Sequence, residues 1–132
     1  MPHPLHVLIV DDQFSDLLRL EDILEESPLD VVVTTSLSGE LALTQLTGTT
    51  APDLILLDYH LPGITGLAVV GAVRQQSQLD CVPIVVRSGS TDPRDAAASL
   101  AAGAQEYLSK PFGFGEQRKQ LLNILNRWHA EE

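Results

Sequence analysis

The sequence predicts a doubly wound α/β domain in which a β-strand and an α-helix alternate five times, (βα)5. Three observations predict it. Short apolar runs recur along the chain, separated by amphipathic segments of helix length. Four of these runs are aliphatic or β-branched without polar alternation, as strands covered on both faces are. Strict alternation of the two element types implies a parallel sheet with helices on both faces and right-handed crossovers.

The strands are read at residues 6–10, 31–35, 54–57, 84–86 and 106–109. Phe14, Leu17, Leu20 and Leu24 fall at three- and four-residue steps and give the first helix one apolar stripe. Leu41, Leu43 and Leu46 mark the second helix, with Ser38 as N-cap. Val69, Val70 and Val73 mark the third. The fourth has the clearest start: Asp92 caps it, Pro93 suits the first helical position and Asp95 sits near the positive end of the dipole. It runs through alanines to Gly103, a C-terminal stop. The fifth carries Leu121, Leu122, Leu125 and Trp128 on one side, and Thr47 to Thr50 form a polar loop closed by Pro52.

The 132 residues fit one domain, 1–132, with about two-thirds of the unfolded surface buried. The formal charge of -10, from 18 acidic and 8 basic side chains, repels nucleic acid and anionic membranes and favours a cationic partner surface or a metal ion. Cys81, the single cysteine, permits no intrachain disulfide and no thiolate metal site; it reads as a small apolar residue before a strand, with a bridge between two copies left open. No signal-peptide core and no membrane-length apolar stretch occurs, so a cytoplasmic location is expected.

Ligands of an open parallel sheet sit beyond the carboxyl ends of its strands. The first strand ends with Asp11-Asp12, the third with Asp58, the fourth with Ser88 and the fifth with Lys110. Three carboxylates, a hydroxyl and an ammonium thus converge from four strands. Carboxylates about 4 Å apart repel by about 4 kcal/mol per pair at an effective dielectric near 20. Such a cluster calls for a compensating cation, and hard oxygen ligands suit Mg2+ that retains some water. The cation and Lys110 would offset the charge that builds as an anionic phosphoryl group approaches an anionic nucleophile.

The ordered series Val-Asp-Asp (10–12), Pro-Asp-Leu-Ile-Leu-Leu-Asp (52–58), Leu-Pro-Gly-x-x-Gly (61–66), a hydroxyl residue after strand four and Tyr-x-x-Lys-Pro (107–111) resembles the receiver domains of bacterial two-component response regulators. The resemblance covers about residues 5 to 128. It implies a flavodoxin-like fold with sheet order 2-1-3-4-5. It implies that Asp58 accepts a phosphoryl group from a sensor histidine kinase, and that Asp12 binds Mg2+ directly while Asp11 acts through water. It further implies that the backbone carbonyl of His60 is a ligand, that Ser88 and Lys110 hold the phosphoryl oxygens, and that Tyr107 turns inward as the hydroxyl moves. The protein would then be a phosphoacceptor of a phosphorelay, catalysing only its own phosphorylation and dephosphorylation. His3, His6 and His129 show no ligand spacing, and Gly63 and Gly66 read as loop-shaping.

Departures are few. Ser88 replaces the more usual threonine, Thr65 replaces an aspartate in a change that looks neutral, and Arg87 stands where an aliphatic residue is usual. A pairing of Arg87 with an acidic side chain of helix four is one reading. No effector domain is expected after helix five. The Asp-Gln-Phe-Ser-Asp opening (12–16), the long segment from Gln75 to Pro83 and Trp128 are similar to small receivers that partner bacterial phytochrome kinases. A receiver used only for docking would not keep the acidic trio and Lys110. An aspartyl-nucleophile phosphohydrolase would want a second aspartate at His60, and a flavin protein would not place Asp11-Asp12 where a phosphate must sit. Leu121, Leu122, Ile124, Leu125 and Trp128 span more than one direction, which suggests a homodimer through helix four, strand five and helix five; the alternative is that they only cover the sheet.

Overall fold

The computed structural model describes residues 4–47, 51–90 and 92–128. Its strands are Leu5–Val10 (β1), Val31–Ser36 (β2), Leu54–Asp58 (β3), Ile84–Ser88 (β4) and Glu106–Ser109 (β5). The helices are Phe14–Glu25 (α1), Gly39–Leu46 (α2), Gly66–Arg74 (α3), Pro93–Ala102 (α4) and Phe114–Trp128 (α5), with a single 3-10 turn at Ser77–Leu79. All strands pair in parallel in the order β2-β1-β3-β4-β5, as expected. The polar loop read at Thr47 to Thr50 lies largely outside the described residues, as do His3 and His129.

Side chains that alternate along the strands divide the interior in two. Val7, Ile9, Leu54, Leu56 and Val85 pack with Leu17, Leu20 and Ile23 of α1 and with Leu121, Ile124 and Leu125 of α5. Leu8, Val10, Ile55, Leu57, Ile84 and Val86 face the other way, onto Ala42 and Leu46 of α2 and Val69, Val70 and Val73 of α3. The expected caps form. Ser38 accepts from Leu41 N–H at 3.1 Å and Asp92 from Arg94 N–H at 2.9 Å, while Gly103 closes α4 at φ 122°. Thr65 caps α3, its hydroxyl accepting from Ala68 N–H at 3.1 Å, a role that an aspartate fills equally well.

Four expectations change. Phe14 is 64% exposed, because the stripe of α1 that meets the sheet is Leu17, Leu20, Ile23 and Leu24. Leu41 points outward and the small Ala42 makes the contact, since α2 lies close to the sheet there. β2 is an edge strand, so its β-branched run is only half covered and Val32 stays exposed. The five apolar residues read on α5 leave no surplus among themselves: Leu121, Ile124 and Leu125 are buried, and Leu122 and Trp128 pack against the same core, while Phe114 at the start of the helix is exposed. The α1/α5 core takes them all, which removes the argument that a monomer cannot hide them. Cys81 lies just before β4, as read, and its side chain is exposed.

Arg74 closes the amino-terminal edge of the sheet. Its guanidinium donates to the carbonyls of Gly103 (2.9 Å), Leu79 (2.9 Å), Asp80 (3.3 Å) and Val82 (2.8 Å), and to Gln105 Oε1 (2.8 Å). One side chain thereby fixes the long segment between α3 and β4, and the end of α4.

Candidate metal centre at the carboxyl edge of the sheet

β1 and β3 are adjacent central strands, so their last residues meet at one edge. Asp11 is 2% exposed and Asp58 7%. One carboxylate oxygen from each of Asp11, Asp12 and Asp58 lies within 4.8 Å of the others. Lys110 reaches over from the loop after β5, its Nζ 3.2 Å from Asp58 Oδ2 and 3.6 Å from Asp11 Oδ2. Backbone holds that loop in place, because Lys110 N–H donates to Ser88 carbonyl at 2.8 Å. Asp11 also accepts from Gln13 N–H at 3.0 Å, which fixes the turn into α1. Burial pushes the Asp11 carboxyl above its usual value, opposed by the Gln13 N–H and by Lys110. A buried, mutually repelling carboxylate pair with a single partly exposed ammonium is a donor set of hard oxygens short of positive charge, and it fits a divalent cation.

The loop after Asp58 is set by two glycines and by Asp58 itself. Asp58 Oδ1 accepts from His60 N–H at 3.1 Å. His60 itself is exposed, and it borders an open groove with Asp12, Tyr59, Pro62 and Thr65, so its backbone stands beside the acidic cluster. Gly63 sits at φ 74°, in the left-handed region that favours glycine. Gly66 passes so close beneath the loop that a Cβ there would lie 2.4 Å from Asp58 carbonyl oxygen.

Ser88 is fully buried, and its hydroxyl accepts from Ser90 N–H at 2.9 Å. Tyr107 lies partly buried with its hydroxyl donating to Ser90 carbonyl at 3.4 Å and its ring edge-on to Tyr59, centroids 5.8 Å apart. The sequence reading did not find Tyr59 or Ser90, and it gave Asp95 only a dipole role. Tyr59 hydroxyl donates to Asp95 Oδ1 and Ser90 hydroxyl to Asp95 Oδ2, each at 3.2 Å. Burial, then the Asp95 charge, holds the Tyr59 phenol above its usual value. Tyr59, the residue after Asp58, is therefore tied to the first turn of α4. Arg87 does not pair with helix four. It is buried, and its Nε donates to Gln120 Oε1 of α5 at 3.0 Å.

Residues 7–123 match the family described as the response regulator receiver domain. This chain belongs to that family. Among curated receivers, it is 34% identical to the two-component response regulator ARR17 of Arabidopsis thaliana, over 96% of this chain and 88% of that one. It is 38% identical to the KDP operon transcriptional regulatory protein KdpE of Escherichia coli, over 95% of this chain and 53% of that one. The chain thus spans about half the length of such transcriptional regulators. Among solved receivers, the phosphorylated cyanobacterial phytochrome response regulator RcpA superposes with a TM-score of 0.90 at 25% identity, covering 97% of this chain and 96% of that one. The Mn2+-bound form of response regulator Rcp1 superposes at 0.86 with 26% identity, over 98% of each chain. Receivers act in two-component signalling, bind a divalent metal and work with histidine kinases, and the acidic trio stands where such a metal is needed. No described helix of this receiver is long and apolar enough to cross a membrane.

Proposed function

We propose that this chain is a single-domain response regulator that accepts a phosphoryl group on Asp58 in an Mg2+-dependent reaction. The observation that carries the reading is the bridging of Asp58 and Asp11 by Lys110 beside Asp12. Asp58 is the nucleophile: a carboxylate oxygen forms a bond to phosphorus as the donor's N–P bond breaks, leaving an acyl phosphate. Asp11, Asp12, Asp58 and the His60 carbonyl would hold the ion. Bound Mg2+ would neutralise the charge that accumulates on the phosphoryl oxygens. Lys110 is placed to pair with one of those oxygens after transfer, and Ser88 takes another once its hydroxyl turns from Ser90 N–H. The chain catalyses only its own phosphorylation and dephosphorylation.

The switching face is α4, β5 and α5. Ser90 supports this, because its backbone meets Ser88 and Tyr107 while its side chain meets Asp95 of α4. The same face is the proposed surface of a homodimer, for which the half-exposed Leu100 of α4 remains a support. The histidine kinase is of the phytochrome class, on the likeness to RcpA and Rcp1. A cytoplasmic location and the lack of nucleic acid binding follow from the acidic charge of -10 and the signalling partner.

Intact-mass spectra after incubation with acetyl phosphate and Mg2+ test the assignment. Wild type gains one phosphoryl group, and Asp58→Asn gains none; equal incorporation in both would sink it. Sedimentation with and without a phosphoryl mimic tests the dimer, which a monomer at all concentrations in both states would remove.

A further inference from the structure

The register at the carboxyl edge places Arg87 of β4 beside Asp58 of β3 on one side and Leu108 of β5 on the other. Alternation along both strands turns Asp58 and Arg87 to the same face as Leu56 and Val85, towards α1 and α5. Asp11, Asp58, Arg87 and Lys110 line one recess, floored by Leu20 and Leu56. Arg87 is 4% exposed, and among the described residues no carboxylate forms an ion pair with it within the 4.0 Å limit that Lys110 meets. A guanidinium stays charged in proteins. Burial works against that charge, while Asp11 and Asp58 favour it. A buried charge without a direct partner is costly, so Arg87 needs the two carboxylates as much as they need it.

We infer that Arg87 is a fixed cation of the acceptor site, a positioning residue that holds Asp11 and Asp58 together before metal binds and opposes the binding of the divalent ion. This rests on the reading of the acidic trio as a metal centre. Lys110 sits over the carboxylates from the solvent side, and Arg87 flanks them from within the sheet. The two differ in freedom. Lys110 is partly exposed, on a flexible stem, and can swing to a phosphoryl oxygen. Arg87 is held by Gln120, whose own amide donates to Ser109 carbonyl at 2.9 Å, so its charge stays below the site throughout. A site balanced in this way binds its metal less tightly and suffers less repulsion when the metal leaves.

The rival account makes Arg87 a strut between β4 and α5 that acts only through Gln120. Two measurements on the full chain separate them. Calorimetric titration with MgCl2 should show Arg87→Met binding about tenfold more tightly than wild type, the order expected when one positive charge is taken from near a divalent ion. Arg87→Lys, which keeps the charge and alters the hydrogen bond, should stay within about twofold of wild type. Equal affinity in wild type and Arg87→Met, or a Lys variant that moves as far as the Met variant, overturns the inference. Arg87→Gln, neutral yet still a donor, replaces the Met variant if that chain does not fold.

The second measurement needs no metal. In EDTA, Asp58→Asn should raise the melting temperature by about 3 °C more in the Arg87→Met background than in wild type, because the carboxylates lack compensation there. No coupling between the two positions overturns the inference. A wild type that binds no Mg2+ would instead refute the reading of the metal centre, while this cycle still judges Arg87.

Discussion

Arg74 and Arg87 stand at opposite edges of one sheet and are used in opposite ways. Arg74 is only half-buried, yet each of its guanidinium nitrogens donates a hydrogen bond, four of the five acceptors being backbone carbonyls. Arg87 is nearly inaccessible, and among the described residues it makes a single hydrogen bond, to Gln120, with its charge left facing the acidic cluster. The amino-terminal edge is saturated and carries stability. The carboxyl edge keeps charges of both signs incompletely matched, which is a cost in the resting chain and, under the proposed function, what would take up a cation and a phosphoryl group. Substitutions at the two edges should therefore separate stability from chemistry.

Lys110→Ala should give the largest effect on chemistry. Phosphorylation by acetyl phosphate at saturating Mg2+ should slow by about a hundredfold or more, since the group nearest the acceptor carboxylate is lost. Its melting temperature should move less than that of Arg74→Ala; the reverse would break the division between the edges. Arg74→Ala should cost about 3 kcal/mol, roughly 10 °C in melting temperature, by leaving the carbonyls of Leu79, Val82 and Gly103 without their donor. Where that variant is folded, its rate of phosphorylation should stay within about twofold of wild type.

Gly66→Ala sharpens the comparison because it touches both properties at once. A Cβ 2.4 Å from Asp58 carbonyl oxygen and 2.9 Å from Tyr59 Cα meets backbone that has nowhere to go. We expect about 1–3 kcal/mol of destabilisation together with slower phosphorylation, as the acceptor and the His60 carbonyl are pushed apart. Calorimetry and mass spectrometry on one preparation would show whether the two losses travel together.

The smallest effect lies at Glu106, on the amino side of β5. Burial raises its carboxyl, but hydrogen bonds from Arg127 and Trp128 outweigh that and hold it below the ordinary 4.5. The folded chain thus keeps the anion where the unfolded chain would take a proton. The stabilisation is complete above about pH 5 and is lost as acid titrates through the lowered value. Glu106→Gln should be less stable than wild type at neutral pH by at most about 1 kcal/mol, because Arg127 is partly solvated. The gap should close as acid titrates the carboxyl through its lowered value; a gap that widens in acid would contradict the shift.

The strand ends made most of the site legible. Asp11, Asp12, Asp58 and Lys110 are each the last residue of a strand or just beyond it, and parallel topology alone brings such residues together. The five strands were legible as short apolar runs, four helices as apolar stripes and α4 by its capping residues. What depends on helix rotation was not. Nothing in the spacing of Leu41 and Ala42 says that the smaller side chain meets the sheet, or that Phe14 turns outward. The Tyr59–Asp95–Ser90 link and the Arg87–Gln120 pair join residues 36 and 33 apart through polar side chains, for which the sequence carries no periodic mark. Arg87 did stand out, as a cation inside an aliphatic strand, but its partner was sought on the wrong helix.

The placement of β2 at the rim has a consequence for how the chain survives its own synthesis. Val31 to Thr35 is an uncharged, β-branched stretch whose outer side has no neighbouring strand, and Val32 is 49% exposed. A run of that composition on an open rim is a template for pairing with another molecule. Asp30 stands immediately before it, a charge at the position where intermolecular stacking would begin. That charge then works against copies of this chain joining edge to edge, and a chain with Asp30 made apolar should form thioflavin-positive aggregates at concentrations where wild type stays dispersed.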